Sequence, residues 1–310
     1  MKIVSAASLP PDGEPALAEI DGVQIPVHYR AGSTDTLIIL FHGAVDQKVR
    51  PKPHFQPLFP HVFGAHQLAV SDTCLIRSDE LKLSWYLGTD DLPLPALLEK
   101  YFKLVSQAGK FKRVIFFGAS GGGHAALYHS YKLPGSLAIA VNAQVDLMRY
   151  HASALIDYQR YCWPGVSSIE DLRPRAPLDL PDLYSSPMQN FVCLLNSAGD
   201  RQHVFDHSFA LLSRIPRVSQ NRVVFHADYY GVLGHAVSVP YKSCVPWIKA
   251  SVYSPNLFAD SLLKKLQQFR GTPAQARPVA AGPMQLKSNV SDEDLRVADA
   301  LCAFQLRESP

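Results

Sequence analysis

Residues 118–122 read Gly-Ala-Ser-Gly-Gly, a hydroxyl set among glycines between an apolar run and a helix-like stretch. A serine hydroxyl is a weak nucleophile near neutral pH. It needs a base, and the base needs an acid to hold its ring. The chain offers both downstream, Asp200 in LLNSAGDRQHV and His235 in YYGVLGHAVSVP. Charge developing on an attacked carbonyl also needs donors already in place. The backbone N–H of Gly121 is one. The second is expected after His42-Gly43, at Ala44, with Val45 the substitute if that turn is one residue longer.

These residues do chemistry together only if the fold collects them. Strand-like and helix-like segments alternate along the chain. Residues 16–32 read as a hairpin. Residues 36–44, 66–74, 113–118, 136–146, 191–199 and 222–228 read as strands, and 94–109, 122–133 and about 204–213 as helices. Near-continuous apolar strands alternating with helices predict an α/β fold, a mostly parallel sheet flanked by helices. Such sheets bind ligands at the carboxyl ends of their strands, where Ser120, Asp200 and His235 all fall. The G-x-S-x-G segment lies between a strand and a helix, the setting of a sharp turn that exposes a nucleophile. Gly118 and Gly122 flank Ser120 because side chains there would collide with that turn.

Two stretches interrupt the alternation. Residues 149–190 are too long for a simple connection and carry Tyr158, Tyr161 and Trp163, so a small helical lid beside the nucleophile is expected. Residues 271–287, rich in Ala, Pro and Gly, read as a linker to an acidic-capped helix from about Ser291. That helix would serve packing or contact between copies of the chain, a homo-oligomer. The division expected is a catalytic domain over 1–270 and a linker plus C-terminal helix over 271–310.

The chain resembles the α/β-hydrolase superfamily over about residues 16–270. The resemblance rests on FHGA at 41–44, GASGG at 118–122, Asp200 after a strand and Gly234-His235. It implies a Ser-His-acid triad, an acyl-enzyme intermediate and no cofactor. Residues 71–88 (SDTCLIRSDELKLSWYLG) are similar to bacterial hydrolase-like proteins found with surface-polysaccharide or natural-product pathways, which assigns no substrate. The expected activity is hydrolysis of a small-molecule or saccharide carboxylic ester. Acyl transfer through the same triad is the alternative, and a non-catalytic binding protein on the same fold the third reading.

Other residues compete for roles. His42 is expected to be a structural hydrogen-bonder and His124 to pack or cap a helix. His203 and His207 stand at i, i+4 but show no third ligand at a suitable spacing, so they read as an exposed helix face and no metal is expected. Asp146 is the rival acid. Trp85, Tyr86, Tyr158 and Trp163 are expected to line an acyl or sugar pocket, with a core position as the alternative.

Composition narrows the classes. The 310 residues are 47% hydrophobic with a net charge of +3, enough for one large core. Lys and Arg are scattered, which argues against a nucleic-acid footprint. Five widely spaced cysteines without a CxxC pair suggest free thiols in a reducing compartment. The short apolar start does not make a signal sequence, and no apolar run would cross a bilayer. A cytoplasmic location is expected.

Overall fold

A computed structural model describes residues 1–50, 52–60, 63–235 and 239–270. The expected linker and C-terminal helix lie outside the described residues, so the division at 270 rests on the sequence alone. Among the described residues no helix is long and apolar enough to cross a membrane. Cys74, Cys162, Cys193 and Cys244 are buried and form no disulfide.

Among the described residues nine strands form one sheet: β1 (Lys2–Ser5), β2 (Pro15–Ile20), β3 (Val23–Arg30), β4 (Thr36–Phe41), β5 (His66–Val70), β6 (Arg113–Ala119), β7 (Leu137–Val141), β8 (Phe191–Ser197) and β9 (Val223–Asp228). Their order is β1-β2-β3-β5-β4-β6-β7-β8-β9. The β2–β3 and β3–β5 pairs are antiparallel. From β5 through β4 to β9 every pair is parallel. The helices are α1 (Leu94–Ala108), α2 (Gly121–Lys132), α3 (Ala152–Cys162), α4 (Leu180–Leu183), α5 (Phe209–Arg214), α6 (Tyr241–Tyr253) and α7 (Ala259–Arg270).

Side-chain alternation assigns the two faces. On β4, Leu37, Ile39 and Phe41 point into a core shared with α1 residues Leu98, Tyr101 and Phe102. Ile38 and Leu40 point the other way, against Trp247 and Ile248 of α6 and Leu262 and Leu266 of α7. On β7 the residues under α2 are Ala138 and Ala140, small enough for the helix to sit close. Register aligns the strand ends: Phe41 pairs with Gly118, Ala119 with Val141, and Val141 with Leu195. The carboxyl ends of β4, β6, β7 and β8 therefore open onto one edge.

The sequence reading is refined in three places. The strand expected over 66–74 stops at Val70 and continues as a 3-10 turn, Thr73–Arg77. The helix expected from about 204 begins as a π-helical turn, His203–Ser208, before α5. Helices α6 and α7 have no counterpart in the sequence reading. Pro246 inside α6 masks the helical signal, but its buried face (Cys244, Trp247, Ile248, Ser251) holds it on the sheet.

Histidine is used here as a neutral core residue. His129 on α2 stacks on Phe41 and Phe116 and meets Phe102 edge-on. Burial pushes its pKa down to about 3. His124 is pushed to about 4 and His207 to about 3, again chiefly by burial. In the unfolded chain these imidazoles take up protons near pH 6.5, and in the folded chain only far lower. Their contribution is complete above about pH 6.5 and is lost as pH falls toward the folded values. Each excess proton in the unfolded state costs about 1.4 kcal/mol per pH unit. His129→Leu should therefore flatten the decline of unfolding free energy by about one proton between about pH 6 and 4, measured by denaturant titration at each pH. An unchanged slope would rule out His129 as a buried neutral imidazole.

Candidate functional site

Ser120 sits between β6 and α2 with φ 54° and ψ −120°, a conformation that strains any L-residue. Its own backbone secures the turn. The Ser120 N–H donates to Val141 O at 2.9 Å, and Ser120 O accepts from Gly123 N–H at 3.0 Å. A Cβ on Gly118 would run into the Gly122 backbone, and one on Gly122 into the carbonyls of Phe41 and His42. The glycines around Ser120 thus mark where β4, β6 and α2 approach to backbone contact.

The Ser120 Oγ lies 3.3 Å from His235 Nε2. His235 Nδ1 lies 2.8 Å from Asp200 Oδ2. A carboxylate only accepts, so Nδ1 carries the proton and Nε2 is left to accept from the serine hydroxyl. Asp200 follows β8 and is buried, whereas the His235 side chain is 32% exposed. Their loops are tied together: Ala198 N–H donates to Asp228 O and Gly234 N–H to Gly199 O. Any Cβ on Gly199 would strike Val232 O, which explains the glycine just before Asp200.

Asp200 holds a second imidazole. His203 Nδ1 lies 3.0 Å from Oδ1, and the His203 ring stacks on His235 at 4.1 Å and 12°. Burial alone would raise the Asp200 pKa. Hydrogen bonds from His203 and His235 outweigh it and hold the carboxyl well below the usual carboxylate range. His203 itself is shifted down, chiefly by burial and against the pull of Asp200. The exposed-helix reading of His203 and His207 is thus corrected, since both are fully buried. His203 does meet other possible ligand groups, in a cluster that leaves out His207. Ligand atoms of Asp200, His203 and His235 lie within 4.8 Å of one another. Both carboxylate oxygens are matched to imidazole N–H donors, while His203 Nε2 is buried with no hydrogen-bond partner among the described residues.

The rival acid is engaged elsewhere. Asp146 accepts from Met148 N–H and pairs with Arg149 at 3.0 Å. His42 is buried, with Nδ1 2.8 Å from Gly43 O and Nε2 accepting from Asp72 N–H at 3.2 Å. The ring nitrogens of His124 each lie 2.9 Å from a carbonyl oxygen, of Gln144 and of Pro177. Gly43 packs against Ala119 and Ser120, which brings the turn after β4 to that serine. Val45 N–H donates to Lys82 O at 2.8 Å and so is spent. Gly121 opens α2, where a backbone N–H has no partner within the helix.

No family model matches the chain, and no curated protein sequence matches it. Solved structures do. Dipeptidyl peptidase 4 of Porphyromonas gingivalis superposes with a TM-score of 0.50 at 13% identity, over 77% of this chain and 35% of that one. This chain has the α/β-hydrolase fold. The capsule O-acetyltransferase of Neisseria meningitidis serogroup A aligns over 68% of this chain and 88% of its own at 15% identity, TM-score 0.49. A 2,6-dihydroxy-pseudo-oxynicotine hydrolase aligns over 70% and 60% at 13% identity, TM-score 0.45. The chain thus spans less than two thirds of the peptidase and of this last hydrolase.

Within this α/β-hydrolase fold, residues 71–88 build the floor beside Ser120. Trp85 and Tyr86 both have positive φ, 51° and 61°. Buried Asp72 holds them there, accepting from Cys74 N–H, Ser84 Oγ–H and Tyr86 N–H. Trp85 packs against Gly121, and its indole N–H donates to Gln144 Oε1 at 2.5 Å. The Gln144 amide in turn donates to Ser120 Oγ at 2.8 Å.

Tyr86 and Tyr158 are core, and Trp163 is buried against them while also lining a cavity with Leu87, Leu92, Tyr128 and Arg175. Tyr86 Oη accepts from His42 N–H and donates to Val70 O. Tyr158 Oη donates to Gly88 O, and Trp163 Nε1–H donates to Tyr158 Oη. Residues 158–162 thus pack on the 71–90 segment, whereas 177–184 pack against α2. The aromatic that the 149–190 segment brings near Ser120 is Tyr150, 6.2 Å from Trp85 and 6.0 Å from His203 between ring centroids. Burial and the Asp200 charge raise the Tyr150 pKa, opposed by a hydrogen bond from Gln144. Sequence reasoning missed Gln144 and Tyr150; an uncharged Gln between Ala143 and Val145 was the available signal. Asp72→Ala removes the acceptor of three buried hydrogen bonds. It should cost about 2–3 kcal/mol of stability by denaturant titration and should shift Trp85 fluorescence. A loss under about 0.5 kcal/mol would show that the strained pair holds without Asp72.

Proposed function

We propose that this chain is a serine enzyme that cleaves a carboxylic ester through an acyl-enzyme, with Ser120 as nucleophile, His235 as base and Asp200 as acid. The observation that carries the reading is the continuous relay from Ser120 Oγ to His235 and on to Asp200, at 3.3 and 2.8 Å, starting from a strained serine. His235 Nε2 takes the hydroxyl proton as Oγ attacks the ester carbonyl. The N–H groups of Gly121 and Ala44 receive the oxyanion. His235 then gives its proton to the leaving alcohol, and water cleaves the acyl-enzyme by the same steps. If a second hydroxyl compound replaces that water, the same machinery transfers the acyl group. Asp200 holds the imidazole in the required tautomer and stabilises the imidazolium. Its second partner His203 is kept uncharged by burial, so it does not compete with that cation.

Ser120→Ala should abolish ester turnover, a loss on the order of 10⁶ in kcat, and eliminate fluorophosphonate labelling. Asp200→Asn should cost about 10⁴. Asp146→Asn should leave kcat within severalfold, because its carboxylate serves Met148 and Arg149. Product analysis with added alcohols separates hydrolysis from transfer. Labelling that survives in Ser120→Ala, or a greater loss at Asp146 than at Asp200, would overturn the assignment.

A further inference from the structure

We infer that the side-chain amide of Gln144 is a further catalytic group, donating a hydrogen bond to the attacking oxygen of Ser120. The inference rests on the proposed role of Ser120 as nucleophile. Gln144 follows β7, is fully buried, and places Nε2 2.8 Å from Ser120 Oγ, nearer than His235 at 3.3 Å.

Chemistry fixes which end of the amide faces the serine. An indole N–H can only donate, so Trp85 must meet the amide oxygen. The amide nitrogen is thereby directed at Ser120 and Tyr150. The backbone of Gln144 is held as firmly. Its N–H donates to Ser120 O at 3.4 Å, and its carbonyl lies against His124 Nδ1. The amide therefore has no rotation to make when the reaction begins.

The consequence is specific. A donor on one lone pair of Oγ leaves the hydroxyl hydrogen free to point at His235 Nε2. As that proton leaves, charge grows on Oγ, and a hydrogen bond to a charged oxygen is worth about twice one to a neutral hydroxyl. The donor thus strengthens during proton transfer, which is what lowers a barrier. The strained Trp85–Tyr86 pair gains a purpose, since it aims the indole that orients the amide.

The test is the second-order rate of fluorophosphonate labelling at Ser120 across pH, with unfolding midpoints measured in parallel. Gln144→Met keeps length but cannot donate. Gln144→Glu keeps an acceptor for Trp85 and donates only when protonated. Both should label about 10- to 100-fold more slowly than the wild type near neutral pH. Relative to the wild type at each pH, Gln144→Glu should recover as pH falls through the titration of the new carboxyl, and Gln144→Met should not. A packing role alone would not produce that pH signature. If both variants fail to fold, Trp85→Phe carries the test, because it frees the amide to rotate; several-fold slower labelling is expected. Labelling at the wild-type rate in the folded Gln144 variants, or in Trp85→Phe where those unfold, overturns the role of Gln144. A wild type that is not labelled at Ser120 overturns the functional reading and this inference with it.

Discussion

The backbone of Ser120 is the constraint on which the arrangement turns. A non-glycine residue at φ 54° carries strain of about 1–3 kcal/mol and persists only where its surroundings overdetermine it. Here they do. Val141 O fixes the Ser120 N–H, two N–H groups of α2 reach for its carbonyl, and β4 lies at backbone contact through Gly122. Relaxing the serine would mean parting β4, β6 and α2, whose apolar contacts fill the centre of the sheet. The core thus holds Ser120 out of its own minimum.

A second strained point supports the first. Trp85 and Tyr86 lie in the left-handed region because Asp72 gathers the segment around one buried carboxylate. From there the hydrogen bonds run from Trp85 to Gln144 to Ser120 and on to His235 and Asp200. Buried polar groups are costly unless paired, and a fully paired chain of them specifies one geometry. Burial also keeps His203 and His207 neutral, so Asp200 carries its charge without a permanent cation beside it. The imidazolium proposed to form at His235 would be its charge partner.

The parallel strands were legible in the sequence because buried strands write themselves as apolar runs. TLIILF and FVCLLNS are buried throughout, as continuous runs should be when both faces of a sheet are covered. The glycines at 118 and 122 marked a tight approach, and strand order set Ser120, Asp200 and His235 on one edge. What the pattern could not show was environment. His203 and His207 stand at a spacing that suits an exposed helix, yet both are buried because the chain there takes a π-helical turn under Tyr150. Trp163 read equally as a pocket wall or as core; it is buried with its indole N–H on Tyr158, and it also lines a cavity beside Leu87 and Leu92.

Local pattern alone indicated the parallel strands and the strained serine, since each follows from hydrophobic period and from the steric demands on glycine; β1 and the order of the strands did not show in it. Tertiary structure decided which polar groups surround that serine. Trp85 and Gln144 are 59 residues apart, and no propensity links them. They meet because Asp72 turns one segment inward while β7 delivers the other to the same edge. The partners of a buried polar atom are set by whichever segments the core brings together, and that information is not held in any local stretch of the chain.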